Sequence, residues 1–334
     1  MRLRLLCFSA AALLLAGCSS APADDASQET PASAPAEEES AYPRTLDIPG
    51  GQGEPEATVT LEAEPTRIAA LTYETGELVA SLGATDRLVL VQESLANPVI
   101  SSHAQEMADV ENHAPTEGSV DAEAVIAADP DLVLLSTRRG LEEGVAKVLE
   151  GAGIPVLTLP NHWANLDDIT SNIAIVGEAL GLEDAADDLT TSLTEGLVEE
   201  DIPEADRPKV LALSNQAGQP FVVAGEAFPL EVLRLAGAED AGADLGFERS
   251  GPISAEQVIA AEPDAILLVD MNGSGDRIFA PLLENDAVAA LPAVSQERVL
   301  LMEGRKLQAL GFTATIEGRE ELATWLGEEV TPAG

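Results

Sequence analysis

Apolar residues recur at steps of three and four from position 166 onward, and the rest of the chain repeats itself on either side of that stretch. Leu166, Ile169, Ile173, Val176 and Leu180 give one helix an apolar face. Gly181 can cap it, and Glu183 and Asp184 open a second helix whose stripe is Ala186, Leu189, Leu193 and Leu197. Acidic residues suit a first helical turn because they oppose the positive end of the dipole. A helix of about 18 residues at 1.5 Å each is roughly 27 Å long. The second helix therefore reads as a strut between two lobes.

Before the strut, short apolar runs at 68–71, 88–91, 132–135 and 156–159 read as buried strands, and 76–82, 122–128 and 145–151 as helices. After it, the run at 210–213 starts the scheme again. Strands alternating with helices imply parallel pairing through helical crossovers. Two stretches are said twice, in the same order. Glu77-Leu78-Val79-Ala80-Ser81-Leu82-Gly83-Ala84 is echoed by Glu231-Val232-Leu233-Arg234-Leu235-Ala236-Gly237-Ala238. Ala122-Glu123-Ala124-Val125-Ile126-Ala127-Ala128-Asp129-Pro130-Asp131 is echoed by Ala255-Glu256-Gln257-Val258-Ile259-Ala260-Ala261-Glu262-Pro263-Asp264. The expected fold is α/β, with two Rossmann-like lobes of parallel strands joined by one long rigid helix.

The start of the chain differs in kind. Residues 1–17 carry Arg2 and Arg4, then an apolar run, then small residues, the pattern of a secretory signal peptide. Leu15-Ala16-Gly17-Cys18 resembles a bacterial lipobox, which implies that Cys18 becomes an acylated N-terminus and a membrane anchor. Residues 19–40 hold no large apolar side chain, so 18–57 reads as a disordered tether and lead-in, with folding beginning near Tyr42 or Thr58. Gly50-Gly51-Gln52-Gly53 is a turn with no strand before it, and not a dinucleotide loop. The domains expected are an N-terminal lobe at 58–165, inter-lobe helices at 166–201 and a C-terminal lobe at 202–330.

Charge removes several partners. The formal net charge is −42 in 334 residues, which repels nucleic-acid phosphates and anionic lipid heads. The excess serves solubility or an acidic docking surface. Only Lys147, Lys209 and Lys306 are lysines, so an anion site must lean on Arg. Cys7 and Cys18 both fall at the very start, leaving the body without a disulfide or a thiolate metal site.

Arg67-Ile68-Ala69-Ala70-Leu71, the Gly83-Ala84 helix end, Ser119-Val120-Asp121-Ala122-Glu123 and the two Pro-Asp strands resemble the iron-chelate and cobalamin class of substrate-binding proteins, which serve ATP-driven (ABC) importers. The resemblance covers about 58–327. It implies two lobes on a rigid helix, a ligand in the cleft with little closure, and a monomer held at the outer face of the cell membrane by its lipid. It further implies an acidic residue on top of each lobe for docking to the permease. Glu142 and Glu143 after the first Pro-Asp strand, and Asp276 after the second, occupy matching places. No resident cofactor is expected.

Ligands of open parallel sheets sit beyond the carboxyl ends of the strands. That rule selects Tyr73, Glu74, residues 92–97, Arg138, Arg139, His162 and Trp163 from the first half. From the second it selects Asn215, Gln216, Phe221, Met271, Asn272 and Gln308. Tyr73 can stack on or coordinate a ferric centre, or simply pack. Arg138-Arg139 can hold carboxylate or catecholate oxygens, or neutralise Glu142 and Glu143. His162 can ligate iron beside the indole of Trp163, or both can pack in their loop, and Met271 suits a pocket wall. His103 and His113 stand apart, against a bare-ion site. The haem branch of the resembled family often has a His a few residues before the position of Glu123, where this chain has Gly118 and Ser119. No nucleophile elbow, zinc-protease motif or phosphate loop is present, so an enzyme is not expected. The function expected is capture of a ferric siderophore for an importer. Haem and cobalamin are alternatives of the same type, and an acidic surface lipoprotein that binds a protein partner is one of another class.

Overall fold

The short apolar runs become the strands of two sheets. The computed structural model describes residues 42–50, 56–115, 120–136, 142–160 and 163–330. The leader, Cys18 and most of the lead-in lie outside them. The described chain opens with a hairpin, β1 (Arg44–Ile48) antiparallel to β2 (Ala57–Leu61). β1 lies inside the stretch that the sequence assigns to a lead-in. Only Leu46 and Ile48 of its five residues are buried, too short an alternation to stand out. The hairpin is fixed to the middle of the chain, where Tyr42 Oη donates to the Ala179 carbonyl at 2.9 Å and Arg44 pairs with Glu183.

The first half then runs β3 (Ile68–Ala70), α1 (Tyr73–Ser81), β4 (Leu88–Gln92), α2 (Ala104–Ala108), β5 (Asn112–Ala114), α3 (Ala122–Ala127), β6 (Leu132–Ser136), α4 (Glu142–Gly151) and β7 (Val156–Leu159). Its sheet is parallel throughout, in the order β5-β4-β3-β6-β7. Crossovers leave the central β3 in both directions, which opens a crevice at the carboxyl ends of β3 and β6.

Two helices follow, α5 (Leu166–Leu180) and α6 (Glu183–Gly196). Gly181 separates them in the left-handed conformation at φ +69°. The expected strut is therefore shorter than its sequence reading, 14 residues and about 21 Å. It does not stand alone. A Cβ on Gly177 of α5 would lie 2.4 Å from Ala186 Cβ, and one on Gly196 would lie 2.6 Å from Ile316, so glycine lets α6 lie close to a neighbour at each end.

The second half runs β8 (Lys209–Ser214), β9 (Phe221–Val222), α7 (Phe228–Leu235), β10 (Glu239–Asp240), β11 (Gly251–Pro252), α8 (Ala255–Ala260), β12 (Ala265–Asp270), α9 (Gly275–Leu283), α10 (Asp286–Ala289), α11 (Pro292–Ser295), β13 (Val299–Glu303) and α12 (Thr313–Trp325). Its sheet is mixed, which corrects the expectation of parallel strands alone. β8, β10, β12 and β13 are parallel, while β9 runs antiparallel to both its neighbours, β8 and the edge strand β11.

The sequence echoes are structural echoes. Asp129 and Glu262 both take positive φ, at 51° and 44°, before their prolines. Asp131 then accepts from the Arg67 amide and Asp264 from the Lys209 amide, both at 2.9 Å, so each Pro-Asp step pins the first strand of its half. Gly83 and Gly237 close α1 and α7 at φ 79° and 88°. Each sheet has a separate apolar layer on one side. On the other side a single apolar cluster runs from Ile68 and Leu134 through Ile173 and Leu193 to Leu267 and Phe312. The two halves thus share a core along α5, α6 and the C-terminal segment.

Candidate ligand cavity

A cavity of about 1200 Å³ lies between residues of the two halves, beyond the carboxyl end of β3. On the first side, the chain leaves β3 through Leu71 and Thr72, and Tyr73 begins α1. Thr75 Oγ1 donates to the Thr72 carbonyl at 2.9 Å, which locks the turn that brings Tyr73 and the buried Glu74 to the lining. Trp163 is only 8% exposed and donates its Nε1 to Ser136 Oγ at 3.0 Å, so β6 fixes its ring from behind. Asn165 caps α5 by accepting from the Asp168 amide at 3.0 Å, and both residues line the cavity.

The second side is the start of α7 and the loops next to it. Gly225 sits at φ +71°, where a Cβ would come within 2.5 Å of the Glu248 carbonyl, so only glycine lets the two loops approach. Glu226, Phe228, Glu231, Arg234, Glu248 and Ser250 follow as lining, with Gln216 from the end of β8. Gln308 and Ala309 complete the lining just before Phe312, a buried residue at φ 42° that opens α12.

Charge in this lining is lopsided. Arg234 donates to both oxygens of Glu231, at 2.9 and 2.8 Å, and to Glu199. The Glu231 hydrogen bond holds the guanidinium above its ordinary pKa against the opposing effect of burial, and the Glu199 hydrogen bond adds to it. It is the only cationic side chain in the lining among the described residues, and two carboxylates already neutralise it.

Of the residues expected from sequence, the structure brings Tyr73, Glu74, Trp163, Gln216 and Gln308 to one cavity. Asn215 is not a lining residue. It is fully buried, its Nδ2 donating to Asp270 at 2.7 Å and to Asn272 at 2.9 Å while its Oδ1 accepts from the Met271 amide. Burial raises the Asp270 carboxyl, but the amides of residues 272–275 and the Asn215 side chain outweigh it and hold it below the usual carboxylate range. Met271 stands behind the lining, accepting from Gln308 Nε2 at 3.4 Å, and Asn272 is exposed on its loop. Asn97 donates to the Asn272 carbonyl at 3.2 Å, a direct tie between the halves. Phe221 begins β9 and is also off the lining.

Arg138, Arg139, His162, Gly118 and Ser119 lie outside the described residues, as do the side chains of Glu142 and Glu143, which open α4. Asp276 is exposed in the first turn of α9. His103 pairs with Glu106, His113 reaches the Met107 carbonyl, and neither lines the cavity. Among the described residues no group of three or more His, Cys, Asp or Glu is placed to hold a bare metal ion. Sequence reasoning missed the α7 wall. Arg234 stands where the first echo has Ala80, and that mismatch inside a repeat was the available signal.

A family model described as periplasmic binding protein matches residues 68–305. The chain belongs to that family, whose members are extracytoplasmic solute carriers and not enzymes. Among solved structures, a periplasmic heme-binding protein from Roseiflexus sp. RS-1 is 23% identical with a TM-score of 0.67, covering 79% of this chain and 98% of its own. A periplasmic heme-binding protein from Pseudomonas aeruginosa is 26% identical with a TM-score of 0.63, covering 81% and 94%. An ABC-type Fe3+-hydroxamate transport protein from Saccharomonospora viridis DSM 43017 is 21% identical with a TM-score of 0.65, covering 86% and 99%. No curated protein sequence matches the chain. Among the described residues no helix is long and apolar enough to cross a membrane.

Proposed function

We propose that this protein captures a ferric siderophore in the cavity between its halves and delivers it to an ABC permease, tethered to the membrane through acylated Cys18. The observation that carries the reading is a cavity of about 1200 Å³, large enough for a chelate of drug size or above. It lies where strands of an α/β sheet end, and five side chains expected there from sequence line it. Lobes at 58–165 and 202–330, linked by 166–201, are the two walls. Binding is equilibrium capture with no bond made or broken: Tyr73 and the edge of Trp163 supply aromatic contact, and Gln216 and Gln308 supply amide hydrogen bonds. Arg138, Arg139 and His162 are further candidates from the loops after β6 and β7. Glu142, Glu143 and Asp276 are proposed to meet the permease.

Haem is the second reading, favoured by the heme-binding proteins among the similar structures. Tryptophan emission of the purified protein, titrated with ferric siderophores, haemin and cobalamin, separates them. Saturable quenching by a siderophore is the expected result, and Tyr73→Ala weakens it at least about tenfold, or ~1.4 kcal/mol. Saturable binding of haemin alone favours the second reading, and no saturable response to any ligand removes both.

A further inference from the structure

Two buried carboxylates, one in each half, build loops that meet across the halves. In the first half Glu77 is fully buried in α1 and accepts from the Ser101 hydroxyl and, at 2.9 Å, from the Ser102 amide. The amides of Ile100 and Ser101 turn back to the Asn97 carbonyl, both at 3.0 Å, and Asn97 Oδ1 accepts from the Val99 amide at 3.0 Å. Residues 97–102 are thus folded on themselves and fixed to α1. In the second half the buried Asp270 ends β12, and its Oδ1 accepts from the amides of Asn272 and Gly273 at 3.1 and 2.9 Å.

The two loops join. Asn97 Nδ2 donates to the Asn272 carbonyl at 3.2 Å, and the Val99 carbonyl accepts from the Arg305 amide at 2.9 Å. Gly273 sits at φ +81°, where a Cβ would stand 3.7 Å from Val99 Cγ2, so Val99 packs close to that turn. Both ends of this junction lead to the cavity. Glu77 lies one helical turn beyond Tyr73 on α1, and Gln308 follows Arg305 closely, its amide donating to the Gly304 carbonyl at 2.9 Å. Tyr73 and Gln308 both line the cavity.

We propose that residues 97–102 form a strap that holds the Gln308 wall of the cavity at a set distance from the Tyr73 wall, with Glu77 and Asp270 positioning its two ends. The strap belongs to the framework of the carrier and does not depend on which ligand fills the cavity. Single hydrogen bonds add little net stability beside a shared apolar core, so the strap sets a spacing without deciding whether the chain folds.

Spin labels read that spacing with no ligand present. In the full chain carrying Cys7→Ser and Cys18→Ser, nitroxides at Glu123→Cys and Glu256→Cys report from exposed, echoed positions on α3 and α8, one in each half. Pulsed dipolar spectroscopy of this parent is expected to give one narrow distance. Asn97→Asp keeps the Oδ1 acceptor for Val99 but sets a carboxylate oxygen against the Asn272 carbonyl. It is expected to broaden the distribution and lengthen its mean by on the order of 2 Å, with the melting temperature little changed. Glu77→Ala is expected to do the same, and Glu77→Gln, which can still accept from Ser102, to keep the narrow distance. Where Glu77→Ala does not fold, Asn97→Asp decides alone. A broad parent distribution, or an unaltered one in folded Asn97→Asp, overturns the strap and leaves the reading of the cavity as a chelate site standing.

Discussion

Asn215 shows how a residue at the correct loop can serve the scaffold and not the ligand. Its amide is divided between the Asp270 carboxylate, Asn272 and the Met271 backbone, so it ties the end of β8 to the end of β12. Asn215→Ala leaves those buried partners short and is expected to cost about 1–3 kcal/mol in urea unfolding; a loss within experimental error would mean that water replaces the amide. Glu77 is the second telling residue. It is fully buried in α1, bonded to the Ser101 hydroxyl and the Ser102 amide, and burial pushes its carboxyl up despite those bonds and nearby His103 and Arg305. A folded-state pKa above the unfolded one contributes stability that is complete below the ordinary value near 4.5 and is lost as pH rises through the raised value. Glu77→Gln removes that dependence. The stability difference between the two proteins should therefore move in favour of the variant as pH rises from 4.5, and a flat difference would contradict the assignment.

The elements that could be read from sequence are those whose chemistry is local. Each acidic-Pro-Asp step is spelled within a few residues, a positive-φ residue, a proline and the carboxylate that reaches back to the first strand of its half, so the repeat shows in the letters. The same holds for the Gly83 and Gly237 caps. β9 and β11 have two residues each and no period to detect, so the antiparallel edge went unseen. The α7 wall left one mark in the letters, Arg234 in the place of Ala80, and the rest of its role depends on how the two halves approach. Helix α6 carries a direct test of that approach, since Gly196 leaves no room for a side chain against Ile316. Gly196→Ala is expected to destabilise by about 1–3 kcal/mol through overpacking. With Ile316→Ala added, thermal unfolding should show less than the summed loss, whereas strict additivity would mean that the two do not touch.

At the scale of the whole molecule, two repeated α/β halves share an apolar seam, and a cavity is lined by residues of both. An excess of 42 negative charges works against that compact state by self-repulsion. The melting temperature should rise when salt is increased from about 0.01 M to 1 M, as the screening length falls to about 3 Å; a fall would mean that surface ion pairs outweigh the repulsion. The halves repeat the same β-α-β steps around one parallel and one mixed sheet, and the proposed site lies in the loops that line the cavity. The most direct test is to locate the metal itself, by anomalous diffraction from crystals grown with a ferric trihydroxamate. An iron peak between Tyr73 and Gln308, within the space bounded by α7, is the predicted result. A peak on an outer face, or none in crystals whose protein binds the chelate in solution, would contradict the account.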